Sequence, residues 1–268
     1  MTHRRTPPGA VPHLGRLTWR DAEAALQPDT IVLVPTGAIE AHGPHLPLDS
    51  DAIIALATAE RAATLLLDRG DAAVVAPPLL FGVSYVGACF PGTAPLPPAV
   101  VRDQLVGLVA ALARWGPRRF AVVNAHLEPA HVAALREGIA VSEERHGVRV
   151  AFADQREERW ASRLSDEFRR GARHAGSYET SILLAAAPER VRQELLPTLP
   201  PVWIDLPARL KAGATTFAEA GGTEGYFGDP ARATAEEGEA LLDALAAMTV
   251  EATDELESSP PAAKAEAT

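Results

Sequence analysis

Glu40-Ala41-His42 and His126-Leu127-Glu128 each set a carboxylate and an imidazole two positions apart, directly after an apolar run that reads as a β-strand. Residues i and i+2 of an extended chain project to the same side, so each pair can aim both side chains at one point. Asp51 follows the first pair through a turn, Gly43-Pro44-His45-Leu46-Pro47, that can fold its carboxylate back toward them. The five groups bring three carboxylates and two neutral nitrogens, a donor set suited to Zn²⁺ or Mn²⁺, with Fe²⁺ also compatible. Five ligands exceed the need of one tetrahedral ion, and with Asp51 as a bridge two ions share them. Three carboxylates and one bridging hydroxide balance two divalent charges, which favours a dinuclear hydrolytic centre in which the metals activate shared water and polarise a scissile carbonyl. Taken singly, each group has a plainer reading. Asp51 beside Ser50 can cap a helix, Glu128 before Pro129 can be a first-turn acid, and a lone His42 or His126 can be a hydrogen-bonded loop residue.

The elements that must position these groups alternate between apolar β-type runs and amphipathic helical stretches, the pattern of a parallel sheet flanked by helices. Strands are expected at Ile31 to Pro35, Ala73 to Ala76, Phe120 to Asn124 and Arg149 to Ala153. Helices are expected from Ala52 to Leu67, opened by Asp49, Ser50 or Asp51, then from Val100 to Trp115, Ala130 to His146 and Glu179 to Ala187. A last helix begins near Thr234, where Thr234 and Glu237 have capping-box spacing, and runs toward Leu256. Both carboxylate-imidazole pairs fall just beyond strand ends, where ligands of open α/β sheets collect.

The 268 residues, 47% hydrophobic, suffice for one large α/β domain, and neither an internal linker nor a repeat period divides them. Residues 1–13 read as an N-terminal extension, 14–257 as a single domain and 258–268 as a disordered tail. A formal charge of -10 without a basic block argues against nucleic acid as partner. No apolar segment reaches membrane-span length, and Pro7, Pro8 and Gly9 stand where a secretory signal would carry its apolar core, so a cytoplasmic protein is expected. The only cysteine, Cys89, lies in an apolar stretch and reads as a buried thiol. His3, His13, His131 and His146 receive no role.

The run from Val34 to Asp51, VPTGAIEAHGPHLPLDSD, resembles the signature of the creatininase family, the creatinine amidohydrolases and their relatives. Three later segments match in the same order. They are Phe90-Pro91-Gly92-Thr93, then His174-Ala175-Gly176-Ser177-Tyr178-Glu179-Thr180-Ser181, and Gly225-Tyr226-Phe227-Gly228-Asp229-Pro230 running into Ala233-Thr234-Ala235-Glu236. The resemblance implies a three-layer α/β/α sandwich with a mostly parallel central sheet. It also implies one ion on Glu40, Asp51 and His126 and a second on His42, Asp51 and Glu128. By the resemblance, some relatives lacking the His-x-Glu form draw a ligand from the Glu of the later segment, so Glu179 stands as alternative ligand or supporting partner.

By the same resemblance His174 and the metal-binding Glu128 are the catalytic candidates, His174 handing a proton to the departing nitrogen. Ser84, Leu127, His174 and Arg173 are candidate substrate contacts, and His45 is a supporting or turn residue. Creatininase proper carries an aromatic residue where this chain has Leu127, a Trp-Asp pair where it has Arg170 and Gly171, and an acid where it has Arg173. A pocket with these changes is not expected to prefer creatinine, and Arg170 or Arg173 can meet a carboxylate or phosphate or remain a solvated charge. The implied function is hydrolysis of a C-N bond in a small amide, lactam or formamide by a dinuclear-metal-activated hydroxide. A metallopeptidase acting on a short modified peptide, or a non-catalytic member that binds metal and ligand, are the alternatives. The family's habit implies a homo-oligomer, a hexamer, acting on a small-molecule substrate.

Overall fold

A computed structural model describes residues 11–258 of the chain. Most of the expected N-terminal extension, and the tail beyond 258, lie outside the described residues. Among the described residues four strands form one parallel sheet: β1 (Ile31–Thr36), β2 (Ala73–Val75), β3 (Arg119–Asn124) and β4 (Arg149–Phe152), in the order β2-β1-β3-β4. Every residue of β1 is buried, as expected of a central parallel strand covered on both faces. Its alternate side chains divide between two cores. Ile31 and Leu33 join one with Ile54, Leu66 and Ile182, while Val32 and Val34 join the other with Leu105, Phe120 and Leu135.

Five long helices supply the outer layers. These are α1 (Ser50–Asp68), α2 (Pro98–Ala113), α3 (Pro129–His146), α4 (Ser177–Ala186) and α5 (Ala235–Ser258). The chain leaves β1 through α1 toward β2, then crosses back through α2 to β3 on the other side of β1, and continues through α3 to β4. Parallel crossovers are right-handed, so reversing direction along the sheet puts α1 on one face and α2 and α3 on the other. The two cores divide accordingly, with α1, α4 and α5 over Ile31 and Leu33, and α2 and α3 over Val32 and Val34. Strand order reverses between β1 and β3, and a crevice opens there beyond the carboxyl ends.

The element ends differ from expectation in physically instructive ways. β1 extends one residue, to Thr36, because Thr36 pairs in register with Asn124 and its hydroxyl donates to Asn124 Oδ1 at 3.0 Å. Asp51 lies in the first turn of α1 and caps nothing. Its carboxylate accepts Ala38 N–H at 3.2 Å and turns inward. Thr234 does cap α5, accepting Glu237 N–H at 3.1 Å, but the expected box stays open because Glu237 accepts from Ser181 Oγ at 2.9 Å.

Cys89 is exposed, against the expectation of a buried thiol. Tight turns through Tyr85 to Phe90 direct Gly87 inward, where a Cβ would stand 2.5 Å from Glu40 Oε1, and leave Ala88 and Cys89 on the outside. At the opposite sheet edge Pro12 O accepts Val75 N–H at 2.9 Å and His13 bridges Val75, so the described end of the N-terminal extension lies along β2.

Candidate metal centre

Two strand ends and two helix starts converge on the crevice. β1 leads into Glu40 and His42, and α1 begins with Asp51. β3 leads into His126 and Glu128, with Glu128 just before the proline that starts α3, and α4 carries Glu179 in its first turn. The first turn of α1 can approach β1 this closely because residue 37 is glycine. A Cβ on Gly37 would lie 2.6 Å from Asp51 Cβ.

Asp51 presents one oxygen to each half of the cluster. Oδ2 lies 3.1 Å from His126 Nδ1, which is also 3.3 Å from Glu40 Oε2. Oδ1 lies 3.3 Å from His42 Nε2, which is 3.7 Å from Glu179 Oε2. All five of these side chains are buried.

Backbone carbonyls fix which imidazole nitrogens face inward. His126 Nε2 bonds Val83 O at 2.6 Å and His42 Nδ1 bonds Glu40 O at 3.0 Å. A carbonyl only accepts, so those nitrogens carry the hydrogens, and His126 Nδ1 and His42 Nε2 are left with lone pairs for a cation. His42 Nε2 has no hydrogen-bond partner although it is buried, since Asp51 Oδ1 is close but misaligned.

The electrostatics point the same way. Burial by itself would lower His42, yet Asp51, with Glu179 and Glu40, overrides it and raises His42 to about 10. His126 is likewise raised against its burial by Glu40 and Asp51. Burial would raise Glu40, but His126 brings its carboxyl down to about 2, and Asp51 is held well below the carboxylate range by His42 and His126. Glu179 rises to about 7 through burial, with the charges of Asp51 and Glu40 adding and that of His42 opposing. Without metal, protons on the two imidazoles supply the positive charge that these carboxylates demand. A donor set of inward lone pairs, an orphaned buried nitrogen and clustered carboxylates fits divalent cations.

Glu128 is placed differently from expectation. It groups with Glu40 and His126, its ligand atom within 4.8 Å of theirs, and Glu179 takes the place beside His42 and Asp51. The reason is local. Glu128 Oε2 accepts Val86 N–H at 3.1 Å, drawing the carboxylate toward the 83–87 loop, whereas Glu179 Oε2 accepts Ala175 N–H at 2.5 Å at the start of α4. Ala175 has φ 50°, a left-handed conformation that a side chain disfavours, and it sets the turn between His174 and Glu179.

His174 is buried between rings, its centroid 4.4 Å from His42 and 4.2 Å from Phe217, against which it stacks. Its Nε2 donates to Ala41 O at 2.8 Å, leaving the Nδ1 lone pair 3.9 Å from Glu40 Oε2. Burial, reinforced by the His42 charge, lowers its pKa to about 4.

Ser84, expected at the substrate, is fully buried and donates to Glu40 Oε1 at 2.7 Å. His45 bonds Thr180 Oγ1 at 2.9 Å. Arg170 is exposed. A cavity of about 670 Å³ opens over the cluster, with Glu40, Asp51, His126 and Glu179 at one end, and Leu127, Glu128, Arg173 and His174 also lining it.

Some supporting residues were not anticipated. Asn124 Oδ1 takes the His126 N–H at 3.3 Å and contacts His131 Nε2 at 3.1 Å, while Asn124 Nδ2 donates to His126 O at 2.6 Å. His131 in turn accepts Val83 N–H through Nδ1 at 3.3 Å, joining the two loops that carry Ser84 and His126. Its position in the first turn of α3, five residues after His126, was the available signal. Buried Glu167 ties the His174 segment to the 226–229 loop, accepting Tyr178 N–H at 2.9 Å and Asp229 N–H at 2.7 Å. Nothing in its spacing announces this.

The family model of creatininase, described as creatinine amidohydrolase, matches residues 15–253. The mycofactocin precursor peptide peptidase of Mycolicibacterium smegmatis is 34% identical over 214 residues, covering 79% of either chain. The creatinine amidohydrolase of Pseudomonas putida is 29% identical, over 70% of this chain and 76% of its own. A solved manganese creatininase superposes with a TM-score of 0.70 at 27% identity, over 92% of this chain and 98% of its own. With its parallel sheet, its switch-point cluster and a family match along nearly its whole described length, the chain belongs to the creatininase family.

Proposed function

We propose that this protein is a divalent-metal-dependent amidohydrolase that cleaves a C-N bond in a small amide, lactam or formamide. The observation that carries the reading is Asp51, whose two oxygens face two separate sets of nitrogen and carboxylate donors. Glu40, Asp51 and His126 would hold one ion, with Glu128 a further oxygen on that side, and His42, Asp51 and Glu179 the other. Zn²⁺ and Mn²⁺ suit these mixed ligands, and Fe²⁺ is compatible. Two such ions, when bound, supply an activated water at neutral pH and a polarised carbonyl.

The chain's own residues do the rest. Ser84 holds Glu40 Oε1, so that Oε2 keeps its orientation toward His126. His174 is neutral with its lone pair on Nδ1, so that atom takes the proton released on attack and passes it to the departing nitrogen. Stacking on Phe217 and the bond to Ala41 O hold the ring in place while the proton moves.

A peptide-cleaving version of the same chemistry is the second reading. It is supported by the 34% identity to a protein named as a peptide peptidase and by a cavity of about 670 Å³, ample for a short peptide. Assembly into a homo-oligomer, the hexamer implied above, accompanies both readings, with exposed Leu80, Phe81 and Tyr85 as apolar surface available to a second copy.

The test is hydrolysis of cyclic amides, formamides and short peptides by protein loaded with Zn²⁺ or Mn²⁺. Turnover of the first two classes supports the amidohydrolase, turnover of peptides alone the second reading. Absence of all turnover with two ions bound would return the non-catalytic binding alternative.

A further inference from the structure

The outer part of the cavity carries the opposite charge from its floor. Arg136, Arg156, Arg173 and Lys211 line it against Asp154 and Glu157. Two of these cations are committed. Arg156 holds Asp154 through Nε at 2.9 Å and Nη2 at 2.8 Å, and Arg136 Nη2 reaches Asp154 at 2.9 Å and Glu157 at 2.5 Å. Arg173 is not. Its Nε donates to Phe168 O at 2.9 Å and its guanidinium lies 4.5 Å from the Phe168 ring centroid, but among the described residues no carboxylate is in direct contact with it, Asp205 and Glu158 acting on its charge only from farther off.

A half-buried guanidinium whose nearest carboxylates stop short of contact is only partly compensated, and a ligand can supply the missing contact. The bond to Phe168 O and the ring beneath fix the group, leaving its two terminal amino groups as a planar fork. That fork matches a carboxylate, with two parallel charge-assisted hydrogen bonds. Arg173 also precedes His174, so its Cα is about 3.8 Å from that of the residue assigned to proton transfer. One small molecule can therefore reach both. Apolar Phe217 and Leu206 line the same cavity.

We propose that Arg173 is a specificity-determining residue that binds a carboxylate on the substrate, making the preferred substrate a small amide with an apolar body and a free acid group. This rests on the hydrolase reading above.

The test compares compounds that differ only in the acid: N-formyl- and N-acetyl-leucine and glycyl-leucine, each against its counterpart made with 3-methylbutylamine. Calorimetric binding is measured with metal-free and metal-loaded protein, and kcat/KM with loaded protein. The acid member is expected to bind about 10- to 100-fold more tightly, with the same bias in KM for whichever pair is turned over. Arg173→Gln is expected to abolish the bias, and Arg173→Lys, which keeps charge without the fork, to retain part of it. The lysine variant keeps the test decisive should the glutamine variant not fold. Equal binding of acid and neutral members, a bias that survives Arg173→Gln, or stronger binding of the leucine phosphonate analogue would overturn the proposal. Absence of turnover with a clear binding bias would refute the hydrolase reading and leave the role of Arg173 standing.

Discussion

The Ser84 hydroxyl donates to Glu40 Oε1 at 2.7 Å, occupying one carboxylate oxygen and leaving Oε2 to face His126 at 3.3 Å. A partner that orients a ligand in this way matters to affinity nearly as much as the ligand. Ser84→Ala is therefore expected to weaken metal binding by about 10- to 100-fold. Competition against a chromophoric chelator measures it, and unchanged affinity would show that Glu40 needs no such restraint.

The two glutamates stand on opposite sides of Asp51, Glu128 with Glu40 and His126 and Glu179 with His42. Because Glu179 and not Glu128 stands with His42 and Asp51, the proposed dinuclear centre requires that Glu179→Gln lose the ion at His42 while Glu128→Gln keeps that position filled. Elemental analysis of metal per chain decides it. Full loading of Glu179→Gln beside a deficit in Glu128→Gln would restore the His-x-Glu arrangement.

His174 touches both the cluster and the cavity without lying between His42 and Asp51. His174→Ala should cut kcat by about 100- to 10,000-fold while both ions remain. A variant with normal kcat would remove His174 from proton transfer.

Clustered carboxylates should make stability depend on metal. At an ion concentration 100 times its Kd, one site contributes about 2.7 kcal/mol, or about 5–10 °C in Tm for a chain of this size. Chelation should lower the Tm by this order and added Zn²⁺ or Mn²⁺ should restore it. Calorimetric scans with the same Tm before and after chelation would argue that the cluster holds no ion.

Asp154 offers a pH test away from the metal ligands. Burial would raise its pKa, but hydrogen bonds from Arg156 and Arg136 prevail and hold it below the usual carboxylate range. A carboxyl depressed on folding binds fewer protons in the folded state, so its stabilisation is present above the unfolded pKa and disappears as pH falls through the folded one. Asp154→Asn should cost about 2 kcal/mol at pH 7, and the gap from the parent should close at acid pH, once Asp154 is protonated in the folded state. Urea denaturation at the two pH values measures this, and a gap independent of pH would place the effect in packing alone.

Much of the architecture was legible because it is local. The apolar runs of β1 and β3, the Pro129 that opens α3 and the i, i+2 spacing of Glu40 with His42 are properties of short segments, and the fold keeps them almost in place. Cys89 shows the limit of that reading. Its neighbours are apolar, but the turn that directs Gly87 toward Glu40 faces the thiol outward.

The sequence by itself determined that two carboxylate-imidazole pairs and Asp51 would meet beyond parallel strand ends, since strand periodicity and a short turn dictate where those side chains point. Only the tertiary structure decided which glutamate stands beside His42, that Ser84 serves Glu40, and that among the described residues no carboxylate directly contacts Arg173. Those outcomes depend on backbone donors and loops brought together from distant parts of the chain: Val86 N–H draws Glu128 aside, while the left-handed turn at Ala175 delivers Glu179. Spacing along the chain carries no record of such contacts, because their energy exists only once the layers have packed.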